Sequence, residues 1–265
     1  MREAAQAGPV LGLETGGAQA SLALLADGRL LGSRAATRRA HGESLASQVA
    51  ELLAECGLNL RDLAAIAVGI GPGSFTGLRI SLSYAKGIAS AGVCGVVGVS
   101  SLDAVALCAA THANLPSQTT ICPMFDARKG EVYTAIYRLG NEGLERRSED
   151  MVTRPAALTS LLAGRVFFVG DGAATYAREL EGAAPEGVIG ALPQERTAAE
   201  MVAVLGAVRV AHNQLDNIRG LEPRYLRPPE AVLKARAAEA RAGLEGIWSS
   251  GKKFSFANTP TTTKN

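Results

Sequence analysis

The chain has 265 residues, of which 47% are hydrophobic, 20% are charged and 5% are aromatic. Glycine (30) and proline (11) together make up about 15% of the residues, below the share that is typical of low-complexity disorder. The 27 basic and 25 acidic side chains leave a net charge of +2, so the composition does not indicate a generic nucleic-acid-binding domain. The length predicts one large domain or two lobes, either of which can bury a core.

The sequence has no sign of secretion or of a membrane segment. The four cysteines, Cys56, Cys94, Cys108 and Cys122, match no zinc template, and we interpret them as buried free thiols in a reducing compartment. No apolar run reaches the length of a membrane-spanning helix, and residues 1–6 are polar where a signal peptide would be apolar. We therefore expect a cytoplasmic protein without membrane contact.

Strands and helices alternate through the first hundred residues. Residues 10–13, 20–25 and 30–35 are predicted strands, with a hairpin turn at Asp27-Gly28 between the last two. Apolar residues recur at helical spacing over residues 41–56. The next predicted elements are a buried strand at 64–68, a glycine-rich loop at 69–77, a helix at 78–91 that small side chains make thin, and a strand at 93–99.

The second half of the chain follows the same patterns after a polar segment near Pro116, where we place a lobe boundary. The predicted elements are strands at 121–125 and 131–139, a surface loop at 140–150, a strand at 165–169, a helix at 197–212, an extended segment at 222–229, a charged helix at 231–246 and a disordered tail from residue 251. Strands that alternate with helices in both halves indicate a layered α/β protein.

The glycine-rich loop lies between a predicted buried strand and a helix, a context in which backbone amides can bind an anion. It is not a dinucleotide fingerprint, because Thr76 stands where glycine is required, and it is not a Walker A loop, because Leu78 follows Gly77. A tight turn with close helix packing explains the glycines equally well, so both interpretations stay open. The candidate anion contacts in this loop are Gly71, Gly73, Ser74 and Thr76.

A second polar turn, residues 14–17, follows the first predicted strand. Glu14 and Thr15 could contact phosphate or assist a metal ion there, although this segment alone favours an ordinary tight turn. The three histidines, His41, His112 and His212, are too far apart in sequence to form a local zinc pair.

Several segments in a fixed order resemble the TsaB (YeaZ) family. The most specific is the run Gly-Pro-Gly-Ser-Phe-Thr-Gly-Leu-Arg-Ile at residues 71–80. The others are residues 10–15, 41–45, 97–102, 126–133, 169–173 and 222–227. The resemblance extends from about residue 10 to about residue 230.

The resemblance implies a two-lobed actin-like ATPase (ASKHA) fold in which each lobe is ribonuclease H-like. It implies a part in making N6-threonylcarbamoyladenosine on tRNAs that read codons starting with A. In this family the subunit is the non-catalytic partner of its paralogue, the transferase TsaD, and the ATPase TsaE completes the assembly. The implied partners are therefore TsaD, TsaE and, through the complex, tRNA, with a homodimer when the chain is alone. No cofactor of its own is implied, although ATP or ADP is expected at the interface of the complex.

The resemblance also suggests a division of the chain. The predicted parts are a flexible N-terminus at 1–8, an N-terminal lobe at 9–110, a C-terminal lobe at 111–216, a return segment at 217–235 and an extension with a tail at 236–265.

The sequence departs from the catalytic paralogue at the positions that matter for chemistry. TsaD holds its metal with a His-x-x-x-His pair, and the matching positions here are Ser101 and Val105, of which valine cannot ligate a metal. The first loop also departs from its own family, because Glu14-Thr15-Gly16 stands where Asp-Thr-Ser or Asp-Thr-Ala is usual. We therefore expect a scaffold with no catalytic residue and no metal ligand.

The expected partner surface consists of the helix at 41–56 and the helix after the glycine loop, which in the family pack against their counterparts in TsaD. The candidate interface residues are Glu43, Leu45, Gln48, Val49, Leu52, Arg79, Leu82, Ser83 and Lys86. Two alternatives stay open, an independent enzyme such as a metallopeptidase, ATPase or kinase, and a homodimeric nucleotide-binding regulator.

Overall fold

The apolar runs of the first hundred residues form a mixed five-stranded sheet. The computed structural model describes residues 8–37, 45–183, 186–192 and 197–227. The strands are β1 (Val10–Glu14), β2 (Gln19–Ala26), β3 (Arg29–Thr37), β4 (Ala65–Gly69) and β5 (Gly95–Val99). Their order is β3-β2-β1-β4-β5. Strand β2 pairs antiparallel with β1 and β3, and β4 pairs parallel with β1 and β5.

A second sheet repeats this arrangement in the other half of the chain. Its strands are β6 (Thr120–Arg128), β7 (Glu131–Thr134), β8 (Tyr137–Leu139), β9 (Leu144–Arg146), β10 (Met151–Thr153), β11 (Val166–Val169) and β12 (Gly187–Gly190). Its main path is β10-β7-β6-β11-β12, and β8 pairs with β6 and β9. Because β6, β7 and β10 are antiparallel while β6, β11 and β12 are parallel, the strand directions also match those of the first sheet. The predicted two-lobed α/β arrangement is confirmed.

Helices cover both faces of each sheet. They are α1 (Leu45–Glu55), α2 (Phe75–Ser90), α3 (Ser101–His112), α4 (Pro155–Thr159), α5 (Asp171–Thr175), α6 (Ala177–Ala183) and α7 (Ala198–Ala211), with a 3-10 turn at Leu60–Asp62. Helices α1 and α2 share one core with the first sheet, and α7 packs on the opposite face of that sheet. Helix α3 lies between α7 and the second sheet, so it joins the two halves.

Small residues let α7 lie unusually close to the first sheet. A Cβ atom at Gly12 in β1 would lie 2.1 Å from the carbonyl oxygen of Ala199, and one at Gly206 in α7 would lie 2.4 Å from the Cβ of Ala67. Side chains any larger would push the helix off the sheet, because protein interiors have little spare volume. Part of the high glycine content therefore serves packing between layers.

The segment after α7, residues 213–226, returns along the first sheet and is held by hydrogen bonds at both ends. The amide of Asp216 donates to the carbonyl of Val96 (2.9 Å), and the Asp216 carboxylate accepts from the amide of Gly98 (2.7 Å). The amide of Arg224 donates to the carbonyl of Ile70 (2.7 Å) next to the glycine-rich loop. From here on we call residues 213–226 the return segment, in place of the bounds 217–235 that the resemblance suggested.

Several predicted boundaries differ from the structure for identifiable reasons. Helix α2 begins at Phe75 rather than at residue 78, because Ser74 caps it by accepting from the amide of Gly77 (3.3 Å). Helix α3 was not predicted, because buried residues surround it and leave no amphipathic period. The single strand predicted at 131–139 is two strands with different partners, and the predicted loop at 140–150 contains β9.

The remaining differences concern extent. The structure adds β10, β12 and the short helices α4 to α6, none of which has a clear sequence period.

One compact unit spans Met1–Leu226, and of the second unit, Arg227–Asn265, the described part is Arg227. The predicted helix at 231–246 and the predicted tail lie outside the described residues, as do His41 and Glu43. In the part of the chain that is described, no helix is long and apolar enough to cross a membrane.

We predict opposite effects for the same substitution in two helices. Gly206→Ala should destabilise the protein by about 1–2 kcal/mol, because overpacking against Ala67 exceeds the gain of about 1 kcal/mol in helix propensity. Gly87→Ala in α2, where no atom lies within 4 Å of the new Cβ, should stabilise it by about 0.5–1 kcal/mol. Urea unfolding of both variants measures the difference, and equal shifts in the same direction would contradict the packing argument.

Candidate functional site

The two polar loops singled out in the sequence contact each other directly. The amide of Ser74 in the glycine-rich loop donates to the carbonyl of Gly16 in the β1–β2 loop (2.8 Å). A Cβ atom at Gly73 would lie 2.7 Å from the same carbonyl oxygen, so this position tolerates no side chain. The loops are therefore closed against each other through backbone atoms.

The hydroxyl of Thr15 fastens the first loop to helix α2. It donates to the carbonyl of Gly77 (2.7 Å) and shares a second hydrogen bond with the hydroxyl of Ser81 (2.7 Å). Both partners lie on the buried side of α2, and the Thr15 side chain is itself buried. The hydroxyl thus makes its hydrogen bonds inside the protein.

Glu14, the last residue of β1, is buried with a relative exposure of 2%. Burial raises the pKa of its carboxyl group, against the opposing effect of hydrogen bonds from the Ser101 hydroxyl and the amides of Gly16 and Thr15. Its Oε1 accepts from the Gly16 amide at 2.6 Å, whereas Oε2 has no hydrogen-bond partner among the described residues and lies where a Cβ of Gly69 would be. The protonated form is favoured because an ionised oxygen without a partner would be costly in this environment.

Ser101 and Val105, the two positions that the resemblance relates to metal-binding histidines, have structural contacts here. The Ser101 hydroxyl accepts from the amide of Gly71 (3.1 Å), and the Ser101 amide donates to the carbonyl of Gly71 (3.0 Å). Val105 is buried in the core that α3 forms with the second sheet, close to Phe125 and Ile121. Within the described ranges, no group of three or more His, Cys, Asp or Glu side chains is placed to hold a metal ion.

These contacts decide whether a nucleotide phosphate fits between the two loops. The Ser74 amide, the Thr15 hydroxyl and the carboxyl of Glu14 are directed at other parts of the chain. Gly17 lies against the ring of Phe125 in the second lobe, where a Cβ would be 3.3 Å from a ring carbon. The residues present therefore do not fit a phosphate group between the loops. Of the candidate anion contacts, Glu14, Thr15, Gly71, Gly73 and Ser74 are brought together, whereas Thr76 is exposed on α2.

In the second lobe two acidic residues, Asp126 and Asp171, are linked, a pairing that the sequence did not indicate. Asp126 near the end of β6 and Asp171 after β11 are joined by a hydrogen bond from the Asp126 amide to Asp171 Oδ1 (3.2 Å). The Asp126 carboxylate also accepts from the amide of Arg128 (2.8 Å) and from the hydroxyl of Tyr176 (3.1 Å). The repeated topology is the signal that could have located them, because β6 and β11 correspond to β1 and β4.

The apolar residues predicted at the partner interface lie mainly in the core of this chain. Val49, Leu52 and Leu82 have relative exposures of 0%, 2% and 4% and pack against the first sheet. Leu45 and Gln48 are half-buried, and Leu45 packs against the same core. A charged substitution at Val49 would therefore disrupt the core before it could report on a partner.

The exposed face of α1 and α2 consists mostly of small residues. We define the small-residue face as Ala46, Ala50 and Ala54 on α1 together with Ile80, Ser83 and Gly87 on α2, all of which are exposed. Ile80 is a large apolar residue with a relative exposure of 52%. Side chains this small allow another helix to approach closely.

Two predicted interface residues lie on a different flank of α2, which faces the return segment. Arg79 Nε donates to the hydroxyl of Tyr225 (3.1 Å), and Lys86 Nζ donates to the carbonyl of Leu221 (3.1 Å). Both side chains therefore contribute to holding the return segment against the helix.

The repeated sheet topology, with helices on both faces, defines a protein of the two-lobed actin-like ATPase (ASKHA) fold with ribonuclease H-like lobes. A family profile described as "TsaD: tRNA N6-adenosine threonylcarbamoyltransferase" matches residues 35–240. The tRNA threonylcarbamoyladenosine biosynthesis protein TsaB of Bacillus subtilis (strain 168) is 30% identical over 230 residues, which are 85% of this chain and 96% of that protein. The protein of the same name from Escherichia coli (strain K12) is 34% identical over 147 residues, which are 55% of this chain and 62% of that protein.

A solved structure agrees with the sequence relatives. The structure of YeaZ from Pseudomonas aeruginosa superposes with a TM-score of 0.68 at 28% identity and covers 83% of this chain and all of that chain (100%). The chain belongs to the TsaB (YeaZ) family.

We predict that Glu14 makes stability depend on pH. Because burial raises its pKa in the folded protein above the ordinary value of 4.5, the folded state keeps a proton that the unfolded chain releases. This carboxyl therefore lowers the free energy of unfolding as pH rises from about 4.5 towards its folded pKa. Glu14→Gln should lack this decline and gain stability relative to wild type over the same range.

The measurement is urea unfolding of wild type and variant at a series of pH values. Glu142→Gln, at an exposed position in the second lobe, is the matched control and should follow the wild-type curve. A Glu14→Gln curve parallel to wild type over the whole range would show that the buried carboxyl has no raised pKa.

Proposed function

We propose that this chain is a non-catalytic scaffold subunit that binds and supports a TsaD-type transferase in forming N6-threonylcarbamoyladenosine next to the anticodon of tRNAs reading codons that start with A. Its family is named for tRNA threonylcarbamoyladenosine biosynthesis, which gives the pathway. The observation that supports the proposal is the closed contact between the two loops, in which the Ser74 amide binds the Gly16 carbonyl and the Thr15 hydroxyl binds helix α2.

The small-residue face supports the partner-binding half of the proposal. It takes in exposed small residues of both α1 and α2, and Ile80 adds a large apolar side chain that this chain leaves exposed. The family profile that matches this chain is named for the transferase, which supports a partner that is related in sequence to this chain. A pseudo-symmetric helical contact between paralogues is the arrangement that we infer, and a homodimer of the isolated chain would use the same face.

The other parts of the assembly belong to the proposal as well. We place TsaE and tRNA in the complex, and ATP or ADP at its interfaces rather than between the two loops of this chain, because these loops are closed. A cytoplasmic location follows from the reaction, since tRNA is its substrate.

Reconstitution of tRNA modification tests the scaffold role. Omission of this chain from a mixture of transferase, TsaE, threonylcarbamoyl-adenylate and tRNA should reduce the modified nucleoside, measured by mass spectrometry, at least about ten-fold, which corresponds to about 1.4 kcal/mol. Thr76→Ala, at an exposed candidate anion contact, should restore activity as fully as wild type. Undiminished modification without the chain would refute the proposal, and ATP hydrolysis by the chain alone that is abolished in Thr76→Ala would support the enzyme alternative.

Partner binding is tested at Ile80, the large apolar residue of the small-residue face. Ile80→Asp should weaken binding to the transferase at least about ten-fold, because an interface would bury an unpaired carboxylate. Val188→Asp in β12 is the control, since Val188 is exposed to 55% and Ile80 to 52%. Isothermal calorimetry should give an unchanged affinity for Val188→Asp, and equal affinities for both variants would exclude this face from the interface.

A further inference from the structure

An exposed cluster on the return-segment flank of α2 takes no part in the functions described so far. Phe75 and Tyr225 stack with ring centroids 5.2 Å apart and an interplanar angle of 36°. The guanidinium carbon of Arg79 lies 4.1 Å from the Phe75 ring centroid, and Arg79 Nε donates to the Tyr225 hydroxyl. We call these three residues the arginine–aromatic platform.

The platform offers both a charge and a stacking surface to solvent. Arg79 is exposed, and its two terminal amino groups have no acceptor within the part of the chain that the structure describes. Tyr225 has a relative exposure of 37%, and Phe75 is partly exposed. Because stacking on Phe75 fixes the plane of the guanidinium, Arg79 is oriented in advance for a phosphate or carboxylate group.

The return segment, which supplies Tyr225, carries charges of both signs. Arg219 and Arg224 on the return segment are exposed, and Glu222 is the exposed acid on the same stretch. Asp150 lies 3.5 Å from one guanidinium nitrogen of Arg224, but its carboxylate also forms an ion pair with Arg146. The return segment thus holds two basic side chains, Arg219 and Arg224, and two acidic ones, Asp216 and Glu222, of which Asp216 is paired with Arg209.

We propose that the arginine–aromatic platform binds single-stranded RNA, with an unpaired base of the tRNA stacked on Tyr225 and a neighbouring phosphate on Arg79; the inference rests on the proposed function. Single-stranded nucleic acid is bound by exposed aromatic rings that stack bases and by cations that follow the backbone. A loop of tRNA supplies both groups at adjacent nucleotides, whereas an acidic peptide would use only the cation.

This surface borders the proposed protein interface on α2. Arg79 and Lys86 contact the return segment, and Ser83, four residues after Arg79, lies next to Arg79 on the helix surface.

Photo-crosslinking in the assembled complex tests the platform directly. The full chain carrying Tyr225→benzoylphenylalanine is combined with the transferase and end-labelled tRNA, and is then irradiated. We expect a crosslink to tRNA, and none from the same photoreactive residue placed at Leu161, an exposed position in the second lobe with a relative exposure of 64%. A crosslink from position 225 to the transferase or to a second copy of this chain would overturn the proposal.

Binding measurements give an independent result. Arg79→Gln should lower the affinity of the complex for tRNA at least about five-fold and reduce the slope of log affinity against log salt by about 1. Arg165→Gln, with the same charge change at an exposed site of the second lobe, should do neither. Tyr225→Phe, which keeps the ring and loses the hydrogen bond to Arg79, should retain most of the affinity, whereas Tyr225→Leu should lose about five-fold or more.

The outcomes separate this inference from the proposed function. Binding to the transferase is measured first for every variant, and melting temperatures report any loosening of the return segment. If the wild-type chain does not bind the transferase, the proposed function fails and the inference fails with it. If the complex forms normally and Arg79→Gln behaves as Arg165→Gln does, the platform does not bind RNA and the scaffold role stands.

Discussion

The hydrogen bond from the Ser74 amide to the Gly16 carbonyl is the contact on which the functional surfaces of this protein depend. It closes the β1–β2 loop against the glycine-rich loop, and the same serine caps α2 through its side chain. One residue therefore sets where α2 begins and how that helix lies against the strand ends. The Thr15 hydroxyl strengthens the arrangement by bonding to the buried side of the helix. Both outward surfaces of α2, the small-residue face and the arginine–aromatic platform, follow from this placement.

Closure of the loops engages polar groups that lie at the ends of the central strands. Polar groups at the ends of parallel strands usually remain available to a ligand, because that edge of the sheet is where binding crevices form. In this chain Glu14 is buried beneath the loop, and the Ser101 hydroxyl binds both the Glu14 carboxyl group and the Gly71 amide. The polar groups of Glu14, Gly71 and Ser101 thus bind one another within the chain.

The two proposed binding surfaces lie on the same helix, α2. With 3.6 residues per turn, consecutive residues differ in direction by about 100°, so Arg79 and Ile80 are directed to different sides of the helix. Ile80 and Ser83 are presented to solvent beside α1, whereas Arg79 is held by Tyr225 of the return segment. The return segment therefore does more than close the first lobe, because it completes a cationic and aromatic surface that α2 alone would not have.

The sequence by itself determined the features that depend on neighbouring residues. Apolar runs located the strands of the first sheet and the central strands β6 and β11 of the second, the Asp27-Gly28 turn located the β2–β3 hairpin, and the run at residues 71–80 located the loop and the family. The sequence did not determine α3, because burial on all sides removes the helical period of its apolar residues. It also did not determine that Val49 is directed into the core, because an apolar stripe on a helix is the same whether the core or a partner covers it. Only the tertiary structure decided that the two loops close on each other and that residue 225 lies beside residue 75. Such contacts join positions far apart in the chain, and their free energy comes from packing and hydrogen bonds that exist only once both lobes have folded.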